Sequence, residues 1–80
     1  MPVVFRHKGF RFFFYANEGD PREPMHIHVS KDGLEAKFWL WPEVVVAYND
    51  GHTARDLRFV QDLVVNRRAM IAGVWNEFFS

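Results

Sequence analysis

His26 and His28, two residues apart in the stretch MHIHVS, carry the clearest chemical signal in this sequence of 80 residues. On a β-strand, side chains at i and i+2 leave the same face, so both imidazoles can reach one metal ion or one substrate phosphate. Neutral imidazole is the commonest metal ligand, and imidazole as a class titrates near neutral pH, which suits acid–base work equally. A third ligand is available from Glu18, Asp20 or Glu23 in the segment before the pair, or from Glu35 beyond it. Sequence gives these carboxylates no fixed geometry, so the metal assignment rests on His26 and His28, with a divalent ion as the only cofactor in view. The plainer alternative stacks His26 on Trp39 and leaves His28 on a solvated face. Around the pair, Arg11, Tyr15, Lys37 and Trp39 make an aromatic and basic platform. Such surfaces bind single-stranded nucleic acid or anchor a protein partner.

The element that positions the histidines is a hairpin. Asp32-Gly33 is a two-residue turn signal between alternating segments, because both central positions of a type I′ turn need positive φ. Pairing then runs outward from Lys31 with Leu34 to Ser30 with Glu35, Val29 with Ala36, His28 with Lys37, Ile27 with Phe38 and His26 with Trp39. One face carries Met25, Ile27, Val29, Leu34, Ala36, Phe38 and Leu40 and is expected to be core. The other carries His26, His28, Ser30, Glu35, Lys37 and Trp39 and is expected to stay open.

Residues 2–6 read as a strand, Lys8-Gly9 as a turn, and the aromatic run 10–16 as a second strand. Phe10, Phe12 and Phe14 match the core face, and Arg11, Phe13 and Tyr15 the histidine face. Residues 17–24 are rich in Gly, Pro, Asn and Asp and read as a loop. Residues 43–48 form a further strand, closed by Asn49-Asp50-Gly51. Thr53 with Asp56 is an N-cap signal. Leu57, Val60, Leu63 and Val64, then Met70, Ile71, Val74, Trp75 and Phe78, make apolar stripes at helical spacing. One unbroken helix over 54–79 would run about 39 Å, longer than a globule of this size, whose radius of gyration should be ~12 Å. Two helices, 54–65 and 67–78, are therefore expected, with Asn66 as the second N-cap; an unbroken helix would overhang and favour a homo-oligomer.

The fold class is thus α+β: one domain over 1–80, a small antiparallel sheet of four to five strands, and two C-terminal helices packed on one face. Nine Phe, three Trp and two Tyr supply the dense core that so short a chain needs. With no cysteine, disulfides and thiolate zinc sites are excluded. Ten basic and ten acidic residues cancel, which argues against a wholly basic surface but not a local one. The first residues lack the apolar run of a signal peptide and no stretch suits a membrane span, so a cytoplasmic location is expected.

RFFFYANEGDPREPMHIHV, EAKFWL, AYNDGHTARDL and the closing WNEFF resemble a widespread bacterial family of small domains of unknown function, family 4160. The resemblance covers nearly the whole chain. It implies one half of a two-gene cassette, beside a small cognate protein of domain-of-unknown-function family 2442, in an arrangement similar to toxin–antitoxin modules. It also implies that Glu18, His26, His28 and Lys37 are the functional positions. Two departures lie near them: Met25 stands where a second proline is frequent, and Trp41 where an acidic residue is common. The leading reading is a toxin-like component of a toxin–antitoxin-type module acting in protein–protein association, with RNA cleavage as the candidate toxic activity. His26 and His28 would act as general base and acid on a ribose hydroxyl and its leaving oxygen, with Lys37 or Arg11 offsetting phosphate charge. The alternatives are a non-enzymatic protein-binding or regulatory module using Tyr15 and Trp39, and a histidine-based metal-binding domain.

Overall fold

The computed structural model describes residues 3–18 and 22–80. The chain begins with a five-strand antiparallel meander, β1 (Val3–His7), β2 (Phe10–Phe13), β3 (His26–Lys31), β4 (Leu34–Trp39) and β5 (Val45–Asn49), each strand beside its sequence neighbours. Two helices follow, α1 (Ala54–Asn66) and α2 (Arg68–Phe78). This is the expected α+β arrangement. No helix of the described residues is long and apolar enough to cross a membrane.

Turn chemistry sets the register. Lys8 and Gly9 take φ of 48° and 83°, Asp32 and Gly33 54° and 78°, the two positive values a tight hairpin demands. The β3–β4 pairing is the expected one, from Lys31↔Leu34 to His26↔Trp39. Alternation then puts Phe10, Phe12, Ile27, Val29, Ala36 and Phe38 on the side that receives Val60, Val64, Ile71 and Trp75 from the helices and Phe79 from just past α2. Leu34 departs from the expectation: it is 38% exposed beside the β3–β4 turn, and it does not join the core cluster.

Three boundaries differ from the sequence reading. Strand β2 stops at Phe13, and the chain then folds into a short 3-10 turn, Ala16–Glu18. The last strand begins at Val45, after the Pro42 segment, and not at Glu43. Asn66 is not an N-cap but the last residue of α1; Arg67 sits between the helices and its N–H still donates to the Leu63 carbonyl. The first helix is capped as expected, with Asp56 N–H donating to Thr53 Oγ1 at 3.1 Å. The proposed strand start at Pro2 lies outside the described residues. Arg68 donates to the Pro42 carbonyl at 2.8 Å and stacks on Trp41, while Arg67 lies over Phe5.

Candidate metal centre

The histidine face is not open. His26 is 0% and His28 3% exposed, which corrects the expectation of a solvated polar surface. Two local features close it. Pairing of β2 with β3 ends at Phe13↔His28, so no strand flanks His26 on that side. Trp75 packs there, its ring centroid 4.9 Å from that of His26, with Trp39 5.6 Å away on the other strand. His28 lies among Phe13, Tyr15 and Tyr48, with ring centroids at 5.4, 4.6 and 6.4 Å.

The second feature is the 3-10 turn, which carries Glu18 onto the imidazoles. Its side chain steadies its own turn, accepting from the Tyr15 N–H through Oε1 at 3.0 Å. That leaves Oε2, which lies 2.7 Å from His28 Nε2 and 2.8 Å from His26 Nε2. Glu18 is itself only 7% exposed. Burial pushes its carboxyl up, but the polar contacts of His28, His26 and the Tyr15 N–H together hold it below the ordinary carboxylate value.

The far nitrogens of both rings are also engaged. His26 Nδ1 is 2.8 Å from the Pro24 carbonyl oxygen. A carbonyl can only accept, so Nδ1 carries the proton and donates. His28 Nδ1 lies 3.3 Å from Glu35 Oε2 and 3.3 Å from the Tyr48 hydroxyl. Glu35 in turn accepts from Tyr15 at 2.6 Å and from Tyr48. These contacts hold the Glu35 carboxyl down against burial, and the bond to Glu35 together with burial pushes the Tyr15 phenol up to about 12. Burial and the same carboxylate push Tyr48 upward as well.

Both Nε2 atoms therefore converge on one carboxylate oxygen while both Nδ1 atoms point away to acceptors. His26 Nε2 is buried without hydrogen-bond geometry to any partner, despite the 2.8 Å contact with Glu18. Glu18, His26 and His28 offer ligand atoms all within 4.8 Å of one another. Two imidazole nitrogens and a carboxylate oxygen suit zinc and related divalent ions. In a tetrahedral zinc site such atoms stand roughly 3.3 Å apart, so the carboxylate would retreat by about 0.5 Å to admit the ion.

Of the sequence-derived site residues, Glu18, His26, His28, Tyr15 and Glu35 come together. Lys37 pairs with Glu23 at 3.3 Å and covers the Trp39 ring at 4.2 Å, so the cation is engaged away from the histidine nitrogens, while the Trp39 ring packs edge-on to His26. Glu23 is thereby engaged elsewhere, and Asp20 lies outside the described residues. Arg11 stands over Phe13 on the next row of the sheet. Tyr48 was missed. Its signal was present in the alternation of 45–48, but an irregularity between Lys37 and Phe38 shifts the β4–β5 register and sets Tyr48 opposite Lys37.

No curated protein and no solved structure matches this chain. One family model does, over residues 9–76, from the phenylalanine-rich strand to the second helix. On that match the chain belongs to the family described as domain of unknown function (DUF4160).

Proposed function

We propose that this domain binds one divalent transition-metal ion through Glu18, His26 and His28. The observation that carries the reading is the shared orientation of the two rings: each Nδ1 faces an acceptor, leaving each Nε2 aimed at the same point. Metal-binding histidines are oriented in this way, by a carbonyl or carboxylate on the far nitrogen. Charge supports it too. Glu18 and Glu35 bring two negative charges into a largely buried cluster, and Lys37 is paired with Glu23; one divalent ion balances both. Three protein ligands leave a further coordination position, through which a bound ion would supply Lewis acidity or an activated water.

Dialysis of tag-free protein against zinc, followed by metal analysis, is expected to give one zinc per chain. His26→Ala and His28→Ala should each weaken binding by at least a hundredfold, whereas His52→Ala should leave it unchanged. Zinc retained by the His26→Ala/His28→Ala double variant would defeat the assignment.

A second reading keeps the toxin-type module and its cognate partner, with RNA as target. What favours it is the half-exposed rim of Arg11, Tyr15, Lys37 and Trp39 around the cluster. Both imidazoles are covered in this structure, so RNA cleavage by His26 and His28 requires the Glu18 turn to move aside. Under this reading, expression of the wild type arrests bacterial growth and a folded His26→Ala/His28→Ala variant does not. Normal growth with both would remove the support for it.

A further inference from the structure

A second feature of the sheet lies one row away from the metal cluster. Arg6 and Arg11 are direct cross-strand partners on β1 and β2, and Arg11 is in turn opposite Ser30 on β3. Arg6 stands next to the closing pair His7↔Phe10 of its hairpin. It therefore occupies a non-hydrogen-bonded position, where facing side chains come closest. Like charges placed directly opposite one another are destabilising, so the pair needs either a counter-charge or a function.

No described carboxylate supplies that charge. Neither arginine forms an ion pair with one. Glu35 belongs to the same row, opposite Ser30, but both its oxygens are taken by Tyr15, Tyr48 and His28. Glu18 lies one row away but is taken up by His28, His26 and the Tyr15 N–H, and Glu23 is paired with Lys37. Lys8 and Lys31 add positive charge at the arginine end, lying over Phe59 and Phe10 on the opposite face. Asp32 is the one carboxylate of the two turns there.

Arg11 is also held in place. Its guanidinium lies 5.1 Å from the Phe13 ring centroid, and its Nε is buried without a partner. A guanidinium fixed by stacking loses little freedom on meeting a ligand, and two forks side by side match the oxygens of a phosphate. The same face offers half-exposed rings at Tyr15, Tyr48 and Trp39, flat surfaces of the type on which unpaired bases stack.

We infer that Arg6, Arg11 and Ser30 form a subsite for a backbone phosphate of single-stranded nucleic acid. It is separate from the metal ligands and stands whether or not the metal assignment does. Titrating a uridine hexamer RNA into labelled protein, with and without zinc, tests it by NMR. The Arg6 and Arg11 Nε–H signals and the Ser30 amide are expected to shift, with hexaglutamate producing no such shift. Arg6→Gln/Arg11→Gln, checked as folded by its amide spectrum, should bind at least tenfold more weakly. It should also lower the slope of log K against log salt by about 0.7, since one lost phosphate contact on a single strand accounts for that much. Arg11→Lys keeps the charge without the fork and should be intermediate. Unshifted arginine signals, wild-type affinity in the double variant, or equal response to hexaglutamate would each overturn the subsite.

Discussion

Glu18→Ala is expected to destabilise the metal-free protein by about 3 kcal/mol, read from urea unfolding at pH 7. Removing one partner from a buried polar cluster leaves the others desolvated and unpaired, which costs more than the pair contributed. Here a single side chain serves two groups, His28 Nε2 and the Tyr15 N–H, and its Oε2 also closes over His26 Nε2. Without it the 3-10 turn also loses its tie to the end of β2. Glu18→Gln keeps an acceptor for the Tyr15 N–H and should lose less. It also isolates the pH effect. The Glu18 carboxyl sits below its ordinary value, so its contribution is complete above the unfolded-state value and is lost as pH falls through the folded one. The wild type should therefore lose more stability than Glu18→Gln between pH 6 and pH 3. Parallel acid limbs in the two proteins would show that the carboxylate charge does not stabilise the cluster.

Trp75→Ala is expected to be the most damaging single core substitution, lowering stability by about 3–5 kcal/mol. At roughly 0.05–0.15 kcal/mol per residue a chain of this size has about 4–12 kcal/mol in total, so the variant is left near the limit of folding. In a domain this small the melting temperature should fall by about 20 °C. The indole is 2% exposed and packs edge-on to Phe14, against Phe79 and against His26. It therefore joins the apolar core to the cluster of Glu18, His26 and His28, and its removal should loosen His26 as well as the helix. Trp75→Phe keeps most of the apolar contact and should lose less than half as much. A thermal melt of Trp75→Ala within 5 °C of the wild type would mean that α2 does not anchor this end of the sheet.

The hairpin that presents the histidines was legible residue by residue, because Asp32-Gly33 and strict alternation leave one register in which the apolar set faces inward. The alternation also grouped Arg11, Phe13 and His28 on one face. Burial of that face was not legible. It depends on Glu18 folding back over it and on Trp75 arriving from more than forty residues away in sequence, and neither event leaves a periodic trace. The segment containing Glu18 has the composition of a loop, and its carboxylate becomes informative only when two imidazoles lie within 3 Å of it. The helix break was anticipated from length, but its cap was misassigned. At Arg67 the backbone bonds run on from one helix into the next, with Ile71 N–H donating to the Arg67 carbonyl, and no side-chain cap is used.

The central claim is that both Nδ1 atoms are turned away and both Nε2 atoms are presented to one ion. Long-range proton–nitrogen correlation spectra of the four histidines, recorded with and without one equivalent of zinc, test it directly. The account predicts that His26 is Nδ1–H in both samples, and that zinc moves the Nε2 signals of His26 and His28 together while His7 and His52 stay unchanged. An Nε2–H tautomer at His26, or zinc shifts confined to His7 or His52, would contradict it.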